Sequence, residues 1–390
     1  MTDTMKKRKI CFVITSFIHY SRNMLVLEEL KKRPDVELHV VIGGAALISR
    51  YASRSATISQ ILINDHFEHI HEIHFNLEGD LPIIKGKTTG LGIIEFSTLF
   101  NNLKPDLVVI RGDRFEVLAA VIAAAYSNIP IAHIEGGDVS GTIDESVRHA
   151  ITKFSHIHFP TNTESKDRII RMGEDPKYIF NLGSPEVEVV SKMKKKNYKI
   201  DIAKTGSGAD ISLSKDYIIV MYHPVTTELK DSVSNIQKLI KVVHELNVQT
   251  LWFWPNADVG SEEIAHQLRI FNDRTRNHKI RFLRDIPSRE FLTLLKNSRC
   301  LVGNSSAGMK ECSYFGVPAV NIGTRQNGRL HAKNVINVTH SEASIREGIR
   351  TQMRKKRYPS SDLYKADNTA KKMAEVMATI NLYVQKRFID

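Results

Sequence analysis

Cysteine is scarce in this sequence. Three residues among 390, Cys11, Cys300 and Cys312, lie far apart or in apolar company. They form no Cys-x-x-Cys pair and no Cys/His metal spacing, which excludes a disulfide framework and a common structural zinc site and fits a reducing cytoplasm. Long apolar runs are also lacking: the longest, Val117–Ala125, is about half of a membrane span, so no membrane partner is expected. Glycine (21) and proline (12) are too few for a collagen-like or low-complexity chain. The polar, basic Met1–Lys9 has no long apolar stretch behind it, so no secretory signal is expected. Several signatures are missing as well. There is no Gly-x-Gly-x-x-Gly after the first strand, no Walker A loop, no His-Glu-x-x-His and no Gly-x-Ser-x-Gly, which argues against a dinucleotide site, a P-loop, a zincin and a serine hydrolase.

Acidic residues are in deficit. Against 55 Lys and Arg stand 43 Asp and Glu, a net charge of +12 that suggests an anionic partner. Part of the excess is local, in Lys192, Lys194, Lys195 and Lys196 and again in Arg354–Arg357, and such runs read as solvated faces. No motif that reads RNA or DNA accompanies them, so a small anionic metabolite is favoured over nucleic acid.

What is present is a repeated alternation of short apolar runs and helical stretches. The first set of runs is Cys11–Thr15, Leu38–Ile42, Leu107–Ile110, Ile131–Ile134 and Ile157–Phe159. The second is Tyr217–Tyr222, Thr250–Trp254, Ile280–Leu283, Cys300–Val302 and Ala319–Ile322. Near-continuous apolar strands between helices mean buried parallel sheets. The length fits roughly two or three domains, and the two sets predict an α/β fold of two Rossmann-like, doubly wound domains facing a central cleft. The boundaries read as a first domain over 1–192, a polar linker over 193–214 and a second domain over 215–368. The C-terminal segment 369–390, with a helix over roughly Thr369–Val384, is expected to pack back on the first domain.

Ligands of open α/β sheets bind beyond the carboxyl ends of the strands, and polar residues cluster there. Arg111-Gly112-Asp113-Arg114, Glu135-Gly136-Gly137-Asp138 and Thr142-Ile143-Asp144 follow strands of the first set. His223-Pro224-Val225-Thr226-Thr227-Glu228, Gly303-Asn304-Ser305-Ser306-Ala307-Gly308 and Gly323-Thr324-Arg325-Gln326 follow strands of the second. The first edge is rich in carboxylates suited to acid–base work: Asp113, Glu135, Asp138 and Asp144. The second, with His223, Ser305, Ser306 and Arg325, suits an anion.

Gly303–Gly308 reads as a strand-to-helix turn whose first amides face phosphate, or as a simple serine N-cap. Glu311, further along that helix, is placed to accept ribose hydroxyls or to face solvent. Thr142 and Glu145 have capping-box spacing, and Asp144 and Arg148 stand one turn apart, able to pair. The segment with His66, His69, His71 and His74 fits no standard ligand spacing with a carboxylate partner, so it reads as a polar edge segment and no metal is expected.

These residues resemble a family, the hydrolysing UDP-N-acetylglucosamine 2-epimerases of sialic-acid biosynthesis. The blocks that carry the resemblance are Gly112–Ala119, His133–Lys153, His223–Glu228, Gly303–Glu311 and Gly323–Arg329, with Gln385–Asp390 similar too. They span nearly the whole chain in the right order. The resemblance implies a GT-B-like fold, a homodimer or homotetramer, a UDP-sugar substrate and no cofactor. It implies loss of the sugar C2 proton, elimination of UDP and hydration of the resulting glucal. Asp113, Glu135 and Asp144 fall on the family's catalytic carboxylates. Arg114, Arg148, His223, Ser305, Ser306, Glu311 and Arg325 fall on substrate-binding positions. Two places depart. Phe17–Arg22 stands where the family has an Arg-Ala-Asp triplet, with Arg22 the one candidate substitute. Gly43-Gly44-Ala45-Ala46 replaces a Gly-x-His turn. Both departures concern the sugar end and leave room for a nucleotide-linked, UDP- or GDP-borne, 2,4-diacetamido-trideoxyhexose of the legionaminic-acid route. A GT-B glycosyltransferase and a non-catalytic UDP-sugar binder are the competing readings.

Overall fold

The computed structural model describes residues 7–48, 57–79, 81–255, 258–275, 279–284 and 286–390. Residues 1–6 of the basic N-terminal stretch lie outside them. The chain forms two compact units. One runs to Asp138, resumes over Asp144–Val189 and closes with Tyr364–Asp390; the other holds Val139–Ile143 and Val190–Leu363.

The first unit alternates strand and helix. In order these are β1 (Arg8–Ile14), α1 (Phe17–Lys31), β2 (Val36–Gly43), α2 (Ile58–Asn64), β3 (His69–Ile73), α3 (Pro82–Leu103) and β4 (Leu107–Arg111). There follow α4 (Phe115–Tyr126), β5 (Ile131–Ile134), α5 (Ile143–Phe154), β6 (Ile157–Phe159), α6 (Thr163–Arg171) and α7 (Pro185–Met193). The sheet runs β3-β2-β1-β4-β5-β6 and every pairing is parallel. Strands such as β4, Leu-Val-Val-Ile-Arg, are buried along their whole length, as a sheet covered on both faces requires. Strand order reverses between β1 and β4, which is where this topology opens a ligand crevice.

The second unit contains β7 (Ser207–Gly208), β8 (Tyr217–Met221), α8 (Ser232–Leu246), β9 (Gln249–Phe253), α9 (Ser261–Arg274) and β10 (Ile280–Leu283). It continues through α10 (Ser288–Asn297), β11 (Cys300–Gly303), α11 (Glu311–Phe315), β12 (Ala319–Ile322), β13 (Val335–Val338) and α12 (Glu342–Arg354). Its sheet runs β13-β12-β11-β8-β9-β10-β7. Counted from β8, the parallel strands repeat the order of the first sheet, so the reversal falls between β8 and β11.

Three strands escape the sequence reading for physical reasons. β3, His-Ile-His-Glu-Ile, is an edge strand whose polar side chains hide its periodicity. β13 is a short, partly exposed strand at one edge of the second sheet. β7 lies inside the stretch read as a linker and pairs antiparallel with β10. The same stretch supplies Ile202 to the core, and the Arg281 guanidinium donates to the carbonyls of Ala203, Thr205 and Ala209. A buried arginine fork thus satisfies loop carbonyls that a sequence scan leaves to water.

The last helix, α13 (Thr369–Thr379), belongs to the first unit and packs on α1. Ala370, Met373, Ala374 and Met377 join Val26, Leu27 and Leu30 in one apolar cluster, each large side chain contributing about 1.5–3 kcal/mol. Glu188 accepts the Ala370 amide at 2.7 Å, satisfying an N–H in the first turn. Beyond α13 the tail is pinned by Lys386, which with Lys153 and His158 surrounds the buried Glu174. Burial pushes the Glu174 carboxyl up, but the hydrogen bonds from His158, Lys153 and Lys386 win and hold it at about 2.

Candidate active site

In the first unit the site grows from the residues that end β4 and β5. Arg111 closes β4 with its side chain buried; its Nε donates to Glu135 Oε2 at 2.9 Å and its Nη2 to Glu186 Oε2 at 2.6 Å. Arg22 of α1 donates from Nε to the same Glu186 oxygen at 2.8 Å. Two guanidinium groups and two carboxylates therefore alternate in one chain, buried except at the partly exposed Arg22, the arrangement in which such charges are tolerated. Glu135 is further distinguished by its backbone, with φ of 71°. A left-handed conformation is costly for a residue with a long side chain and persists where the surroundings enforce it, commonly at functional sites.

Asp113 follows the same strand, one residue past Gly112. Its Oδ2 takes Nη2 of Arg148, and its side chain keeps 25% of its surface accessible. Arg148, buried in α5, also donates from Nη1 to the Asp138 carbonyl at 2.7 Å. Burial pulls the Arg148 pKa down, but Asp113, Asp138 and Asp144 outweigh it and raise it. Asp144 stands half-buried in the first turn of α5. Asp113, Asp144 and Arg148 thus form one electrostatic group. Asp138 has a different occupation: its carboxylate accepts from Asn162 at 3.1 Å and from Ser165, the start of α6. Arg114 forks onto Glu116 at 2.8 and 3.0 Å. Gly44, in the turn after β2, leaves the space that Glu116 fills.

In the second unit the equivalent edge is tied together by Asn304. Its Oδ1 accepts the His223 amide and its Nδ2 donates to the His223 carbonyl, both at 2.8 Å, locking the end of β8 to the end of β11. Gly303 permits this approach: a Cβ there would sit 2.0 Å from the Met221 carbonyl oxygen, and its φ is 133°. Arg325 and Gln326 both donate to the Asn304 carbonyl, at 3.1 and 2.9 Å. Arg325 also lies 3.9 Å from Asp258, and Thr324 donates to Glu228. His223 is buried; desolvation, helped by Arg325, holds its pKa at about 3, so its imidazole is neutral near pH 7. The segment Val139–Ile143 counts with this unit, and Gly141 donates its amide to the Arg325 carbonyl at 3.1 Å.

The turn after β11 differs from the continuous helix expected from the sequence. A 3-10 turn, Ser306–Gly308, precedes the five-residue α11. Ser305 acts as its cap, accepting the Ala307 amide at 3.3 Å, which is the plainer of the two sequence readings. Ser306 opens the turn, and Glu311 begins α11 in a buried position.

Arg111, Glu186, Asn304 and Asp258 were not singled out by sequence. Arg111 had a signal, a cation ending an otherwise apolar buried strand. Glu186 is 75 residues from Arg111 and had none. Arg22, the displaced substitute that the sequence offers, has an acidic partner in Glu186.

Two doubly wound parallel-sheet units sharing one strand order, with polar side chains beyond the strand ends of each, define a fold of the GT-B-like class. A family model described as UDP-N-acetylglucosamine 2-epimerase matches residues 28–378. A UDP-N,N'-diacetylbacillosamine 2-epimerase (hydrolyzing) of Legionella pneumophila is 32% identical, covering 97% of this chain and 97% of its own. A UDP-N-acetylglucosamine 2-epimerase of Neisseria meningitidis is 31% identical, covering 98% and 99%. The crystal structure of the Methanocaldococcus jannaschii UDP-GlcNAc 2-epimerase with UDP-GlcNAc and UDP superposes with a TM-score of 0.77 at 16% identity, over 95% of this chain and 99% of that one. The chain belongs to the UDP-N-acetylglucosamine 2-epimerase family.

Proposed function

We propose that this protein is a hydrolysing 2-epimerase that converts UDP-GlcNAc to free N-acetylmannosamine and UDP, supplying nonulosonic acid synthesis. The observation that carries this reading is the grouping of Asp113, Asp144 and Arg148 beside a buried Arg111–Glu135 pair at the first switch point. Phosphate binding alone does not call for such a set of carboxylates. Removing a weakly acidic sugar proton does.

In this account one carboxylate takes the C2 proton. The C–H electron pair forms the C1–C2 double bond, and the C1–O bond breaks with its pair leaving on UDP. Water then adds its oxygen to C1, while C2 is reprotonated from the opposite face. Asp113, Glu135 and Asp144 share the proton transfers, with Arg111 and Arg148 fixing two of them. Arg325, Ser305 and Ser306 meet the charge that builds on the departing diphosphate. Glu311 takes the ribose, and neutral His223 offers a hydrogen bond without adding charge. Arg114, forked onto the buried Glu116, is held beside Asp113 and serves the substrate from there.

A second substrate, a UDP-linked 2,4-diacetamido sugar, is favoured by the Legionella relative's name and by the Arg22–Glu186 pair standing where the family triplet is missing. Release of UDP and of free sugar from each of the two donors, without acceptor, tests the proposal. UDP release only in the presence of an acceptor sugar would instead make the protein a glycosyltransferase. We place the reaction in the cytoplasm. The three cysteines are free and buried, and no described helix is long and apolar enough to cross a membrane. A homodimer or homotetramer is supported by α3, which leaves Ile83 and Ile94 about three-fifths exposed (59% and 61%).

A further inference from the structure

The histidine-rich segment plays no part in the chemistry above. The sequence alone could not pair it with a carboxylate, because its partners come from a different strand. β2 and β3 lie parallel with His39 opposite His69 and Val41 opposite His71. Side chains alternate along a strand, so Glu37 and His39 of β2 share one face with His69 and His71 of β3. They meet there. His39 Nε2 is 2.7 Å from Glu37 Oε1, and His39 Nδ1 is 2.9 Å from His71 Nε2. The His39 and His69 rings stack at 4.5 Å. Ligand atoms of Glu37, His39 and His69 all lie within 4.8 Å of one another.

A guard of polar residues on an edge strand explains His69 and His71. It does not explain His39, which is buried on the neighbouring, interior strand and reaches Glu37 and His71 with its two ring nitrogens. A tetrahedral ion with ligands at about 2.0–2.1 Å needs donor atoms about 3.3 Å apart, a change within reach of side-chain rotation on a fixed pair of strands. Imidazoles with one carboxylate suit a borderline cation such as Zn2+ rather than Mg2+ or Ca2+. We infer that Glu37, His39 and His69, with water as the fourth donor, form a transition-metal site that fastens edge strand β3 to β2. It lies toward the strand starts, the opposite end of the sheet from Asp113 and Glu135. Its role is therefore structural.

The test uses the full chain with any affinity tag removed and bound metal stripped by chelator. Co2+ is titrated as the probe and the d–d absorption is followed, with Zn2+ uptake measured in parallel by calorimetry. His39→Ala risks the fold because that residue is buried, so His69→Ala is the deciding variant. The expected result is saturation at one equivalent with a tetrahedral cobalt spectrum, weakened about tenfold or more in His69→Ala. UDP release by the metal-free variant should equal that of the metal-free parent. Failure to saturate at one equivalent, an octahedral spectrum, or an affinity that His69→Ala leaves unchanged would each overturn the assignment.

Discussion

Glu135 carries two burdens at once: a left-handed backbone and a side chain held by Arg111. Glu135→Gln keeps the shape and removes the ionisable carboxylate. Turnover is expected to drop by about two to four powers of ten while UDP binding, followed by calorimetry, stays within about twofold of the parent. Arg325→Ala should do the reverse. Loss of a charge-assisted contact to diphosphate costs about 1.5–3 kcal/mol, read as a roughly ten- to hundredfold weaker Kd for UDP. An unchanged Kd removes Arg325 from the phosphate site. Buried imidazoles set a pH limit. His19, His133 and His223 each have a pKa held at about 3, first by burial and then by nearby arginines or by His158. An unfolded imidazole takes its proton near pH 6.5, so between these values the unfolded chain binds more protons. Stability is then complete above about pH 6.5 and erodes as pH falls through the window. Chemical-denaturation midpoints at pH 7.5 and pH 5 should differ in that direction, and equal midpoints would refute the neutral-imidazole assignment.

Among the elements, α13 shows how a distant segment completes a core. It follows the whole second unit in sequence yet contributes Met373 and Met377 to the cluster around α1. Met373→Ala is expected to cost about 2–5 kcal/mol, measured by urea unfolding, and a loss below about 1 kcal/mol would mean that α13 is only loosely attached. Elements were legible in the sequence in proportion to their apolarity. β4 and β12 announce themselves as unbroken buried runs, and with them the positions of Asp113 and Arg325. β3 conceals itself because an exposed edge strand tolerates His, His and Glu. β7 is invisible because two residues have no periodicity. The site was legible where a side chain follows its strand directly and illegible where a partner arrives from elsewhere. Glu186 stands 75 residues from Arg111, and no local pattern joins them. The same blindness separated the histidine segment from Glu37 and His39. The two serines after β11 show the opposite failure: a local motif was plain, and its capping geometry became clear only from the fold.

The whole molecule repeats one topology twice, with Asp113, Glu135 and Asp144 beyond strand ends of the first unit and His223, Asn304 and Arg325 beyond those of the second. The proposed reaction asks for both kinds of group, carboxylates to move a sugar proton and donors for a departing diphosphate. Self-association belongs to the same scale. If α3 forms the contact between copies, Ile94→Lys should shift the protein to a monomer in light scattering while leaving its circular dichroism unchanged. An unchanged mass would move the interface off α3.

If the carboxylate edge drives C2 deprotonation coupled to loss of UDP, solvent deuterium must enter at C2 as UDP is released. The decisive experiment incubates the protein with UDP-GlcNAc, and separately with UDP-N,N'-diacetylbacillosamine, in D2O without acceptor or added metal, and follows the proton spectrum. Free UDP and a free 2-epimerised sugar carrying deuterium at C2 are expected from at least one of the two donors. An epimerised sugar still attached to UDP, or product that retains its C2 proton, would refute this chemistry.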